Sequence, residues 1–342
     1  MTNHKVITGN SNSLAAVADK SIQLIVTSPP YPMIGMWDDL FVSQDSSIAA
    51  DLENGDSQNA FNKMHDILNS VWLECDRVLA DNGFICINIG DATRTVDKQF
   101  QLFSNHTAVI NYFVSKGYCL LPDIHWRKQS NSPNKFMGSG MYPAGAYVTY
   151  EHEYILVFRK GGKRVFSGSN RLLRQESAYF WEERNIWFSD LWEIKGASQF
   201  ISKSVASRNR SASFPFEIPY RLINMYSAKY DTVLDPFGGL GTTGFASMVS
   251  QRNSISVDID SDISALSLLS LNVSPDKIND IIAKRISAHE SFIAGLDDDK
   301  KQKCYINLPH GFLVKTLQET ALHIQKVKTV RLSDGIIICD YL

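Results

Sequence analysis

The sequence predicts a doubly wound α/β fold built on a mixed, mostly parallel sheet. Three observations predict it. Short apolar runs with strand character alternate with amphipathic, helix-like runs in residues 1–123 and again in 213–296, the rhythm of βαβ units. One apolar run, in "SIQLIVTSPPYPMIGMW" from Ser21 to Trp37, ends against two prolines that cannot donate to a sheet ladder. Another, in "DTVLDPFGGLGTTGFASM", passes from strand to helix through a glycine-rich turn.

Four zones follow along the chain. Up to Asp123, strand-like runs (Leu24–Thr27, Phe84–Ile89, Tyr118–Leu121) flank a clear helix in "FNKMHDILNSVWLECDRVLADNG". There Phe61, Met64, Ile67, Leu68, Val71, Trp72, Cys75, Val78 and Leu79 recur at three-to-four spacing, and "DNG" reads as the C-cap and turn. Residues 124–212 are irregular. They hold the long polar loop "KQSNSPNKFMGSGMYPAGAY", the strand "YEHEYILVFRKGG" and the aromatic-rich "YFWEERNIWFSDLWEI". From Arg159 to Arg210 there are eleven Lys or Arg against five Asp or Glu, a local basic surface. Residues 213–296 resume the α/β rhythm: helix Pro219–Ser227, strand Thr232–Leu234, glycine turn, helix Thr242–Ser250, strand Ser254–Val257, helix. Residues 297–342 suggest an amphipathic helix in "HGFLVKTLQETALHIQKV" and a hairpin around "LSDG".

The bulk composition bounds the function. A chain of 342 residues with 44% hydrophobic and 20% charged residues is an ordinary globular protein, and its net charge of -2 carries no global signature of a nucleic-acid binder. Five cysteines without a CxxC pair argue against a disulfide framework or a zinc ribbon and fit a reducing, cytoplasmic setting. No apolar run approaches the ~18 residues of a membrane span, and no signal core opens the chain. Neither a membrane nor a metal is expected.

The glycine turn, Gly239-Leu240-Gly241-Thr242-Thr243-Gly244, is a GxGxxG between strand and helix. Its glycines permit positive φ and close backbone approach, and the helix start favours an anionic group. Asp258, about 20 residues on at the end of the next strand, stands where a ribose-binding carboxylate belongs. A P-loop is excluded because the turn lacks its lysine. Too little chain follows for a dehydrogenase with its own substrate domain, so the N-terminal zone must complete the cofactor fold and the motif order is permuted. Ser28 and Tyr31 are meanwhile held by the rigid Pro29-Pro30 turn at a strand's carboxyl end, where open α/β sheets build their sites. Ser28 Oγ and the Pro29 carbonyl present acceptors, and Tyr31 a face for stacking.

Taken together, "TSPPY" and "DPFGGLGTTG" resemble the catalytic [DNS]PP[YFW] and cofactor DPFxGxGTT motifs of the S-adenosylmethionine-dependent amino DNA methyltransferases, in the order of their β class. "GNSNSLAAVADKSIQLIVTSPPY" is similar to that family's lead-in, and "SASFPFEIPYRLINMYS" to the segment before its cofactor motif. The resemblance spans roughly residues 6–270, loosely in the middle. It implies a Rossmann-like methyltransferase fold with an inserted target-recognition region. Residues 1–123 would form the catalytic half, 124–212 the variable DNA-recognition region, 213–296 the cofactor half, and 297–342 an extension. It implies S-adenosyl-L-methionine as cofactor and double-stranded DNA as partner. A cognate restriction endonuclease would act separately.

By the same resemblance, Ser28, Pro29, Pro30 and Tyr31 are catalytic. Asn10, Phe214, Pro215, Asp235, Pro236, Phe237, Gly239, Gly241, Thr242 and Asp258 bind the cofactor. Asp235 would accept from the methionine ammonium or fix the turn, and Asn10 stands where the family usually has aspartate. Serine at the first motif position points to the exocyclic N4 of a flipped cytosine; adenine N6 is the alternative, and a DNA-binding protein without turnover a third reading. The absence of a cysteine in the turn argues against carbon-5 methylation. DNA contacts are expected from Arg171, Arg174, Arg184, Lys203, Arg208 and Arg210, while Trp181, Trp187 and Trp192 read as core. "EHEYILVF" matches a zinc-binding HExxH only superficially, because Leu156 occupies the second histidine position. His125 and Trp126 close a strand near the site, as base-pocket or structural residues.

Overall fold

The computed structural model describes residues 1–128, 143, 148, 150–196 and 214–342. The first half holds β1 (Thr2–Thr8), β2 (Ile22–Thr27), α1 (Asp38–Val42), α2 (Ser47–Glu53), α3 (Ser57–Val78), β3 (Leu79–Ile89), the hairpin β4 (Ala92–Val96) and β5 (Gln99–Phe103), α4 (Asn105–Ser115), β6 (Cys119–Leu120), β7 (Ile124–Arg127) and β8 (His152–Arg159). There follow α5 (Ser169–Glu176), α6 (Trp181–Trp187), β9 (Leu191–Trp192), α7 (Glu217–Tyr226), β10 (Thr232–Asp235), α8 (Thr242–Val249), β11 (Asn253–Asp258), α9 (Ser261–Leu271) and α10 (Pro275–Ala294). The chain closes with α11 (Asp298–Lys301), β12 (Tyr305–Ile306), β13 (Leu313–Val314), β14 (Val327–Ser333) and β15 (Ile336–Tyr341).

Among the described residues the main sheet runs β14-β15-β1-β11-β10-β2-β3-β8-β7-β9, with β6 also on β8. Its centre, β1-β11-β10-β2-β3, is parallel, and β8 and β15 turn antiparallel at its flanks. Alternation along the strands feeds two cores. Ile25, Ile85, Ile87 and Ile89 face Met64, Leu68, Trp72 and Cys75 of α3 and Phe113 of α4. Leu24, Val26, Cys86 and Val233 face Leu222 and Ile223 of α7, Met248 of α8 and Ile282 of α10. The crossover from β2 to β3 therefore lies on one face, through α3, and that from β10 to β11 on the other, through α8. Between β10 and β2 the winding direction changes, and a crevice opens at their carboxyl ends.

Several elements differ from expectation for visible reasons. β1 is an unforeseen strand, with Thr2 and His4 buried among β11 and β15. "DNG" lies inside β3 as a bulge: Asn82 has φ of 66°, and the pairing with β2 jumps from Ile22–Leu79 to Leu24–Phe84. The helix expected over residues 310–327 is absent. Thr316 caps a single 3₁₀ turn, its N and Oγ1 both donating to Glu319 Oε2 at 2.7 and 2.6 Å. Asn307 Nδ2 donates to the carbonyls of Glu319 and Leu322, both at 2.8 Å, so side chains take the groups a helical ladder would have used. The "LSDG" hairpin is present as β14–β15 and extends the sheet beyond β1. Trp187 and Trp192 are core, whereas Trp181 is exposed and stacks on Phe292 at 5.8 Å. No helix among the described residues is long and apolar enough to cross a membrane.

Candidate active site

The crevice becomes a site because two sequence-distant turns meet there. β2 ends at Thr27, and Pro29 and Pro30 prevent further pairing; β10 ends at Asp235 and enters the glycine turn. One cavity is lined by Ser28 and Pro30 from the first turn and by Asp235, Pro236, Phe237, Gly239 and Thr242 from the second. Asn10, Phe214 and Asp258 complete the predicted residues on its wall, and Trp37, Phe41 and Ile263 add apolar surface. Pro29, Pro215 and Gly241 lie off the wall. The Pro215 carbonyl accepts from Ile218 N at the start of α7. Gly241 caps α8 at φ of 83°, where a Cβ would come within 2.6 Å of Ser267 Oγ. Tyr31 lines an adjoining recess with Gly90, Asp91, Lys128, Glu151 and Glu153.

Asp235 joins the two turns. Its Oδ1 accepts from Thr27 Oγ1 at 2.6 Å and Phe237 N at 3.1 Å, and its Oδ2 accepts from Thr243 Oγ1 at 2.6 Å. Burial pushes this carboxyl up to about 6 against the hydrogen bonds that favour its charged form. Of the two roles expected for Asp235, the geometry matches fixing the turn. Ser11 Oγ, also buried, donates to the Pro236 carbonyl at 2.5 Å and ties the β1 loop to the same corner. Asp258 accepts from Gly239 N at 3.0 Å and from Asp260 N at 3.0 Å, which fixes the carboxylate on the cavity wall. Asn10 Nδ2 donates to Gln44 Oε1 at 3.1 Å and links that wall to the segment after α1.

At the other turn, Tyr31 Oη donates to Glu153 Oε2 at 2.9 Å and lies 3.1 Å from Ser28 Oγ. Asn88 Nδ2, from the end of β3, donates to Glu153 Oε2 at 2.6 Å and to Tyr31 Oη at 2.8 Å. Lys128 Nζ pairs with Glu153 Oε1 and lies 4.6 Å from the Trp126 ring centre. Burial, with the Glu153 charge beside it, raises the Tyr31 phenol well above its usual value, so its proton stays in place. Gly90 gives the ring its seat: a Cβ there would come within 3.0 Å of Tyr31 Cε2. Asn88, Lys128 and Glu153 escaped the sequence reading. Asn88 alone carried a signal, as the one amide inside the apolar strand "FICINIG"; Glu153 sits in the polar start of "EHEYILVF" and Lys128 follows another strand.

Of the expected DNA contacts, Arg171 and Arg174 stand exposed on α5 and Arg184 on α6, and none of them lines either recess. Those helices are docked on the C-terminal part: on α6, Glu183 accepts from Arg285 at 2.6 and 2.8 Å and Trp181 N donates to Glu319 at 2.8 Å, and on α5 the Glu176 carbonyl accepts from His323 N at 3.1 Å. Lys203, Arg208 and Arg210 fall outside the described residues. His125 is half exposed and stacks on His152 at 5.2 Å, while Trp126 is buried and donates to the Ile194 carbonyl at 2.8 Å.

Comparison with known proteins agrees with this geometry. The Type II methyltransferase M.MthZI of Methanothermobacter thermautotrophicus is 47% identical over 333 residues, covering 96% of this chain and 92% of that one. M.MjaI of Methanocaldococcus jannaschii, also a Type II methyltransferase, is 48% identical over 273 residues, covering 77% of this chain and 89% of its own. Among solved structures, a putative DNA modification methylase from Thermus thermophilus, complexed with S-adenosyl-L-methionine, is 27% identical with a TM-score of 0.60 over 78% of this chain and 92% of its own. The PvuII DNA methyltransferase, cytosine-N4-specific, shares the fold at 21% identity and a TM-score of 0.53, over 84% of this chain and 94% of that one. The N6_N4_Mtase family model, described as DNA methylase, matches residues 22–268. With the fold, the crevice and two extensive relatives in agreement, the chain belongs to the N6/N4 DNA methylase family.

Proposed function

We propose that the protein is a site-specific, Type II DNA methyltransferase that methylates the exocyclic N4 of cytosine in double-stranded DNA, within a restriction–modification system. The observation that carries this reading is the single cavity shared by Ser28 and Pro30 with the Asp235–Thr242 turn. S-adenosyl-L-methionine, when bound, supplies an electrophilic methyl group on a sulfonium. The cavity fits that cofactor. Phe237 and Ile263 offer apolar surface for a nucleobase, Asp258 a carboxylate for vicinal hydroxyls, and Phe214 a cover for the methionine end. Asn10, Pro215, Pro236, Gly239, Gly241 and Thr242 shape the same site.

The exocyclic amine of a base is a weak nucleophile because its lone pair is delocalised into the ring. Ser28 Oγ and the Pro29 carbonyl would accept its hydrogens and favour a pyramidal nitrogen whose lone pair faces the cavity. Pro29 has no N–H to oppose that arrangement. Tyr31 would stack on the base once it leaves the helix. Catalysis is then orientation and electrostatics, without a covalent enzyme intermediate. Target readout is assigned to residues 124–212, with Arg171, Arg174, Arg184, Lys203, Arg208 and Arg210 as candidate contacts. The choice of cytosine rests on serine at position 28. Nucleoside mass spectrometry of DNA treated with protein and S-adenosyl-L-methionine tests it. N4-methylcytosine is expected, and N6-methyladenine alone would overturn the base assignment.

A further inference from the structure

We propose that Glu153, which lies outside both sequence motifs, is a positioning residue that fixes the hydrogen-bond direction of Ser28 through the Tyr31 hydroxyl. The inference rests on the reading of Ser28 as acceptor for the target amine. A serine hydroxyl both donates and accepts, so it serves that purpose only if its own hydrogen is directed elsewhere. The network around it determines where that hydrogen goes. Glu153 Oε2 is an acceptor only, and two groups reach it: Tyr31 Oη at 2.9 Å and Asn88 Nδ2 at 2.6 Å. The phenol has one hydrogen, which is thereby committed to Glu153. Tyr31 Oη must then accept from its other neighbours, Asn88 Nδ2 at 2.8 Å and Ser28 Oγ at 3.1 Å. Ser28 therefore donates toward Tyr31; Asn88 Nδ2 approaches one of its lone pairs at 3.4 Å, and the other is left for the cavity it lines.

The carboxylate is built to stay in place. Lys128 Nζ pairs with its other oxygen, and β8 carries Glu153 opposite the end of β3, where Ile89 pairs with Tyr154 and Asn88 with Ile155. Gly90 lets the Tyr31 ring and the Glu153 stem share one narrow seat, since a Cβ there would come within 3.2 Å of Glu153 Cγ. Chains of hydrogen bonds that end on a charge polarise one another. Glu153 thus gives the neutral Ser28, at two removes, part of the acceptor strength that a carboxylate at the first motif position has by itself. Its burial near the start of β8 has this explanation.

A double-mutant cycle on the purified full-length protein tests the inference, using E153Q, Y31F and the E153Q/Y31F pair. Methyl transfer to DNA, KM for S-adenosyl-L-methionine and thermal melting are measured for each. E153Q and Y31F are each expected to lower kcat about tenfold, the scale of one charge-assisted hydrogen bond, with KM for the cofactor unchanged. The pair should be no slower than the slower single variant within about twofold, because both changes cut one chain. Independent, multiplying losses, or E153Q turning over like wild type, would overturn the role. If E153Q does not fold, Y31F decides alone, and a wild-type kcat for it overturns the proposal. Absence of methyl transfer by the wild-type protein is a different failure, since it removes the proposed function and this role with it.

Discussion

At the scale of single residues, the site is governed by which groups can accept a hydrogen and which cannot. Pro29 removes a donor, Glu153 orients one, and Asp235 takes up three others where the turns meet. Tyr31 combines a ring with a hydroxyl committed to the network. Tyr31→Ala should therefore lower kcat roughly a hundredfold, within the range of one lost base stack, while the dissociation constant for S-adenosyl-L-methionine changes less than about threefold. Single-turnover kinetics beside calorimetric binding would check this. Equal loss of both would mean that the ring's contribution is structural. Ser28 and Tyr31 were legible in the sequence because three positions hold both partners of one contact. Asn88 and Glu153 lie 60 and 125 positions beyond Ser28; Asn88 comes beside it only through the parallel β2–β3 pairing, and Glu153 joins through Tyr31 only once β8 is also paired antiparallel with β3. Local pattern carries no information about that pairing.

At the scale of elements, the glycine turn shows why a short motif can be legible by itself. The chain must leave β10, open a cavity and start α8 within a few residues, and Gly239 and Gly241 adopt φ of 49° and 83° to do so. Gly241→Ala would impose a disfavoured backbone region and drive Cβ toward Ser267 Oγ on α9. A loss of about 2 kcal/mol or more is expected in urea denaturation, together with weaker cofactor binding, because the start of α8 must move. Unchanged stability would contradict the geometry. The contrast is with residues 310–327, whose apolar spacing suggests a helix. There Asn307 and the Thr316–Glu319 capping pair claim the backbone and carboxylate groups first, and Phe312, Val314 and Leu322 pack on Phe180 instead. Periodicity identified apolar residues that become buried, but the competing hydrogen bonds come from Asn307, just before the helix-like window, and from the Thr316–Glu319 pair inside it, which apolar spacing does not register.

At the scale of the whole molecule, the sheet is completed by the two ends of the chain. The β14–β15 hairpin pairs with β1, and His4 is buried in that seam. Its Nδ1 lies 2.9 Å from Ser254 Oγ and its Nε2 2.9 Å from Thr2 Oγ1, which in turn lies 2.9 Å from Tyr341 Oη. Burial lowers the His4 pKa to about 3, and that of His65, on the buried face of α3, to about 4. The unfolded chain takes up these protons near pH 6.5 and the folded protein does not. The stability contributed by the neutral rings is therefore complete above about pH 6.5 and declines as pH falls toward the folded values. Asp235 acts in the opposite sense. With its carboxyl raised to about 6, the folded protein holds a proton that the unfolded chain releases near pH 4, so its contribution declines as pH rises between those values. The two histidine shifts together exceed the single carboxyl shift, so the fold should weaken on acidification below about pH 6.5. His4→Gln keeps one neutral donor and one acceptor in the seam but removes the titrating group. Its stability should fall less steeply than wild type between about pH 6.5 and 4.5, by up to about 1.4 kcal/mol per pH unit, in urea denaturation across that range. Parallel curves for the two proteins would mean that the seam admits the proton and that the edge formed by the chain ends opens in the native state.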